Sequence, residues 1–232
     1  MTTALTVSIV IAGVLGIIHY WNEKFVLTGS FRQLAVSFAA GTAVAYSFVF
    51  LLPDVSERAD HFGSSLYIIL LAGFVSVHVL EKFAYRHFHG DGEGWHFLHS
   101  MVHFWILFTY YTIIGSVLYV MAQNDLAESV LFFIPLAFYA AVGLVSFEEV
   151  HTEVRYRLVF RWLLSGAALL GVFLAAFTSV NEVSLYHALF AFAVGGFFYI
   201  TMIDVIPSRD RGSPLYFALG AILYTTVIIF IL

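Results

Sequence analysis

The sequence predicts an all-α, polytopic membrane protein with eight transmembrane helices, and three observations carry that prediction. Of 232 residues, 61% are hydrophobic and 11% charged, with a mean hydropathy of +0.93; a soluble domain carries about twice that charged fraction. Apolar runs of about 17–25 residues, the length that crosses a bilayer, recur along the chain between short polar turns. Nine of the ten Lys and Arg residues fall on one side once those runs are read as spans.

The spans lie near 3–20, 33–53, 65–84, 101–121, 129–147, 158–178, 185–206 and 214–232, in one transmembrane domain over 1–232. The first lacks the basic n-region and small-residue cleavage site of a signal peptide, so it reads as a span. The second ends at Leu52-Pro53, and the third runs into Glu81-Lys82. A His-bearing loop over 85–100 leads to the fourth. The fifth contains Pro135 and ends at Glu148-Glu149. Arg155, Arg157 and Arg161 open the sixth, Ile206-Pro207 closes the seventh, and Pro214 opens the eighth.

Loop charge sets the orientation. Lys24, Arg32, Lys82, Arg86, Arg155, Arg157, Arg161, Arg209 and Arg211 follow the odd-numbered spans; the loops after spans 2, 4 and 6 carry only Arg58, among Asp54, Glu57, Asp60, Asp125, Glu128 and Glu182. Basic loops stay in the cytoplasm, so both termini are expected outside, in a cell (inner) membrane. The absence of cysteine excludes disulfides, thiolate metal sites and cysteine nucleophiles. No basic tract suggests nucleic acid, and no Gly-x-Ser-x-Gly suggests acyl transfer; the expected surroundings are the lipid bilayer.

An internal repeat is visible. Phe38-Ala39-Ala40-Gly41 with Leu52-Pro53 aligns with Phe192-Ala193-Val194-Gly195 and Ile206-Pro207 at one offset of 154. Span 2 runs inside to outside and span 7 the reverse, so the halves read as inverted copies, spans 1–3 and 6–8 around an inserted pair. Secondary transporters are commonly built this way, with the site at the midplane. The same glycines and prolines also have a plain reading, as small residues that let helices approach and as span ends.

Chemistry is confined to a few polar groups. His99 and His103 are four apart entering span 4 and share a helix face; Glu148, Glu149, His151 and Glu153 leave span 5 at the same depth. His99, His103, Glu149 and Glu153 form a candidate site for Zn2+ or another divalent metal at the cytoplasmic rim, or else a belt in which the acids pair with Arg155, Arg157 and Arg161. His87, His89 and His96 are candidate loop ligands. His78 and Asp204 lie inside spans, where ionisable groups face a cavity or a partner. Tyr110 and Tyr111 sit in the central fourth span, and their hydroxyls need partners there; they are candidates for lining a pathway or closing it. His19 and His187, at span ends, read as structural.

The strings FAAGTAVAYSFVFLLP (38–53), GFVSVHVLEK (73–82) and AFAVGGFFYITMIDVIP (191–207), with Ala218-Leu219-Gly220, resemble helices 2, 3, 7 and 8 of the ZIP (Zrt/Irt-like) metal transporter family. The resemblance implies a three-plus-two-plus-three helix arrangement, metal ion transport and a homodimer. The chain departs from it where that family holds its metal. Ile106 to Tyr111 stands in place of the family's His-Asn-x-x-Asp-Gly, Phe132-Phe133-Ile134-Pro135-Leu136-Ala137 in place of His-Glu-x-Pro-(His/Glu)-Glu, and Phe50 in place of a His. Asp204, three before Pro207, keeps an acid found there in the family. Phe, Leu and Ile offer a dication no ligand, so the midplane metal site is expected to be degenerate. The expectation is thus a ZIP-like transporter of a divalent cation or another small solute, not an enzyme. Its rivals are a non-transporting sensor, subunit or scaffold of the same fold, and a His-rich membrane metalloenzyme resting on His96, His99 and His103.

Overall fold

The computed structural model describes residues 2–22, 29–87, 93–142, 158–178, 183–207 and 212–231. Its elements are α1 (Thr2–Asn22), α2 (Gly29–Tyr46), a first π turn (Ser47–Leu51), α3 (Leu52–Phe62), α4 (Ser65–His87), α5 (Glu93–Asn124), α6 (Leu126–Val142), α7 (Leu158–Phe177), α8 (Val183–Ile200), a second π turn (Thr201–Val205) and α9 (Pro214–Ile231). No strand occurs among the described residues. Among the described residues, seven continuous helices are long and apolar enough to cross a membrane, with α2, the first π turn and α3 counted as one; α6 is shorter over its described length. The chain has the build of an integral membrane protein.

Two helices run past the span limits read from the sequence. The helix that carries the second span does not stop at Pro53 but continues to Phe62. Proline has no N–H and normally breaks a helix; here it falls in the first turn of α3, just after the π turn in which the Leu52 N–H bonds Ser47 O. The wider turn absorbs the missing bond, and α3 goes on with Val55 and Ala59 buried. The loop expected over 85–100 is helical at both ends, since α4 reaches His87 and α5 starts at Glu93. Helix is the form in which main-chain groups near lipid satisfy one another, and that outweighs the roughly 1 kcal/mol cost of Gly94.

The core sits between α2, α5, α6 and α8. The central helix α5 is apolar all round and buries Tyr110, Tyr111, Ile114, Val117, Leu118 and Met121, as a surrounded helix does. By contrast α4 and α9 expose Ile68, Leu71, Val79, Leu219, Ile222 and Ile229, the surface lipid would cover. Hydroxyls in the bundle turn back on their own helices: Ser8 donates to Ala4 O, Thr42 to Phe38 O and Thr112 to Phe108 O. Others cross between helices, Ser116 to Gly171 O at 3.0 Å and Ser129 to Leu118 O at 3.1 Å.

Glycine sets the closest helix approaches. A Cβ on Gly41 would overlap Phe217 O and crowd Ala221 N, and one on Gly220 would overlap Phe38 O, which joins α2 to α9. A Cβ on Gly195 would overlap Leu70 O and crowd Phe74 N, and one on Gly73 would overlap Phe192 O, which joins α8 to α4. The two sets stand at constant separations: Gly195 and Phe192 follow Gly41 and Phe38 by 154 residues, while Leu70, Gly73 and Phe74 precede Phe217, Gly220 and Ala221 by 147. The two π turns, Ser47–Leu51 and Thr201–Val205, stand at the same separation of 154.

Candidate functional site

At the bundle's centre lies an aromatic cluster around Tyr46. Its ring stacks on Phe50 at 5.2 Å and meets Phe197 at 6.1 Å and Tyr224 at 6.0 Å edge to face, with Phe132 tilted at 6.1 Å. These rings come from α2, the first π turn, α6, α8 and α9. The side chains that resemblance aligned with family ligands, Phe50 and Phe132, therefore help fill the centre. The Tyr224 hydroxyl donates to Leu131 O. The hydroxyls of Tyr46, just before the first π turn, and Thr201, opening the second, are fully buried and have no hydrogen-bond partner among the described residues. π turns often mark functional sites because they interrupt regular main-chain bonding.

A polar chain bridges α4 and α8 nearer the end that carries Lys82 and Arg86. The Tyr199 hydroxyl donates to Glu81 Oε2 at 2.9 Å, and His78 Nδ1 lies 3.3 Å from the same hydroxyl. Since Tyr199 has one proton and gives it to Glu81, the imidazole donates through Nδ1 and Tyr199 accepts. His78 and Glu81 are three apart and share a face of α4. Phe74 supports the Tyr199 ring edge-on at 5.3 Å. The chain thus holds an exposed imidazole, a phenol and a half-buried carboxylate in line, an arrangement that can hold or pass a proton.

Of the expected site residues, the structure places some and not others. Tyr110 is buried against Gly196 and Val77 from α8 and α4, one residue before His78; its hydroxyl has no partner among the described residues. Tyr111 meets His19 edge-on at 4.3 Å and the Tyr110 ring edge-on at 6.0 Å. His96, His99 and His103 lie along the first turns of α5, His87 ends α4, and Asp204 lies in the second π turn, but their side chains are outside the described set, as are the whole of His89, Glu149 and Glu153. Among the described residues no three His, Asp or Glu side chains gather as a metal ion would need. Arg161 donates to Tyr20 O at 2.9 Å and covers the Tyr20 ring at 4.8 Å, which joins α7 to α1.

Sequence reasoning missed Glu81, Tyr199 and Tyr46 as site residues. Tyr199 and Tyr46 were quoted only inside apolar strings, and Glu81 only as the end of the third span. The available signal was Glu81 itself, a carboxylate three residues after His78 in a span.

Compared with models of known protein families and with curated proteins, the chain matches none.

Proposed function

We propose that this chain is a ZIP-like transporter of eight spans in a three-plus-two-plus-three inverted repeat, with both termini outside. It moves a divalent cation or another small solute by rocking one bundle against the other, through a midplane that does not use the family's metal ligands. The observation that carries this reading is the repetition of the four glycine approaches, α2 on α9 and α8 on α4, at constant separations of 154 and 147 residues. The same kind of contact also joins α5 to α7, where a Cβ on Gly115 would overlap Ala168 O and one on Gly171 would overlap Thr112 O; what supports the reading is therefore the constancy of the two separations, which copies of one unit would share. Transporters built from such copies place their substrate between them, here among Tyr46, Thr201, Tyr110 and the second π turn. The ring cluster around Tyr46 then corresponds to a closed midplane, and the His78–Tyr199–Glu81 chain to a polar exit on the cytoplasmic side.

A second reading has its own observation. Phe50 and Phe132 fill the centre with rings, which favours a relative that no longer transports and acts as a sensor, subunit or scaffold. Reconstitution into liposomes separates the two. Under the transporter reading, uptake of a radiolabelled divalent cation or small polar solute from a panel is saturable, and Tyr199→Phe lowers its rate several-fold. Absence of uptake across the panel by folded protein would reject transport and leave the second reading.

A further inference from the structure

Among the described residues the bundle end opposite Lys82 and Arg86 carries a single Lys or Arg residue, Arg58 on α3, and its guanidinium is held in a cage. Nε and Nη2 bond the two Asp54 oxygens at 2.8 and 3.0 Å. Nη1 lies 3.2 Å from His187 Nδ1. The guanidinium carbon stands 4.6 Å from the Phe190 ring centre and 5.2 Å from that of Tyr186. The Phe62 ring packs against His187 at 4.0 Å. Phe190 and Tyr186 are 0% and 3% exposed, so two of the walls are fixed core rings of α8. A carboxylate facing the edge of a planar cation, with aromatic faces over it, is the chemistry by which proteins recognise guanidinium and ammonium groups.

The charge around the cage also favours a cation. Among the described residues this end carries Asp54, Glu57, Asp60, Asp125 and Glu128 against Arg58 as its one Lys or Arg residue. Such a field concentrates cations. Ring walls and scattered carboxylates suit an organic cation better than a dication, which wants several oxygen or nitrogen ligands converging on one point.

We infer that the cage of Asp54, Tyr186, His187 and Phe190 is a binding site for an organic cation bearing a guanidinium or ammonium group, in which Arg58 is the built-in occupant that the ligand displaces. Displacement releases α3 from α8, so binding loosens this end of the bundle. The inference deepens the transporter reading by naming a ligand class at its outer mouth, but binding itself does not depend on flux.

Arg58→Gln carries the test, because removing an internal competitor has the opposite sign from removing a structural support. Methylguanidinium binding is measured by calorimetry on detergent-solubilised protein at constant ionic strength. The site predicts saturable binding to the wild type, about tenfold tighter binding to Arg58→Gln, and loss of binding when Asp54→Asn is added to that variant. Should Arg58→Gln fail to fold, Phe190→Leu with Arg58 kept serves instead, with a several-fold weaker affinity expected. Equal or weaker binding by folded Arg58→Gln, affinity indifferent to Asp54→Asn or Phe190→Leu, or binding of Zn2+ with none of methylguanidinium would overturn the inference. Binding without uptake in liposomes supports the cage and counts against transport alone.

Discussion

Tyr199 shows how much a single residue does here, because its hydroxyl serves two partners at once. It donates to Glu81, 118 residues away, and accepts from His78, 121 residues away. Tyr199→Phe leaves a half-buried carboxylate short of a donor and an imidazole short of an acceptor. Losing one partner of a buried bond costs about 1–3 kcal/mol; thermal unfolding in detergent should register that loss, and no change would show that the chain is not formed. Tyr46 should respond in the opposite way. Its hydroxyl has no partner among the described residues, so Tyr46→Phe removes an unpaired buried group and should leave stability unchanged or raise it by roughly 1 kcal/mol. A strongly destabilised Tyr46→Phe would mean that the hydroxyl is bonded after all. None of these pairings was readable from spacing. Partners more than a hundred residues apart leave no local pattern, and only the cost of placing an ionisable His78 within a span hinted that it needed a neighbour.

Among elements, the close glycine approaches make the sharpest predictions. A Cβ at Gly41, Gly73, Gly195 or Gly220 meets main-chain atoms, which cannot turn aside as a side chain can. Each Gly→Ala there should destabilise by about 1–3 kcal/mol or more, with the related pair Gly41 and Gly195 similar in size. Gly13 and Gly166 have open space around a Cβ, so Gly→Ala at those positions should be neutral or add up to about 1 kcal/mol through helix propensity. A series of unfolding temperatures tests both groups together, and equal effects in the two would contradict the packing. Spans were readable as apolar runs, and Gly41, Gly195, Pro53 and Pro207 already carried the offset of 154. What pattern could not give was the π turn. It is a change of hydrogen-bond spacing without a composition of its own, so the sequence did not show that the helix runs on through Pro53.

At the scale of the whole molecule, composition made membrane residence legible and loop charge suggested the sidedness. The number of spans is the hinge between them. Seven helices meet the length of a crossing and α6 is shorter over its described residues; an even count places the termini on one face, an odd count on opposite faces. The inverted repeat requires eight, with α6 crossing as the inserted partner of α5. Because the chain has no cysteine, single cysteines can be placed without background. The decisive measurement is labelling of intact cells by a membrane-impermeant maleimide, using Thr2→Cys, Ser64→Cys, Arg86→Cys and Ile231→Cys proteins. The account predicts labelling from outside at positions 2, 64 and 231, and at 86 only after permeabilisation. Labelling that puts positions 2 and 231 on opposite faces would contradict eight spans and, with them, the inverted repeat on which the transporter reading rests.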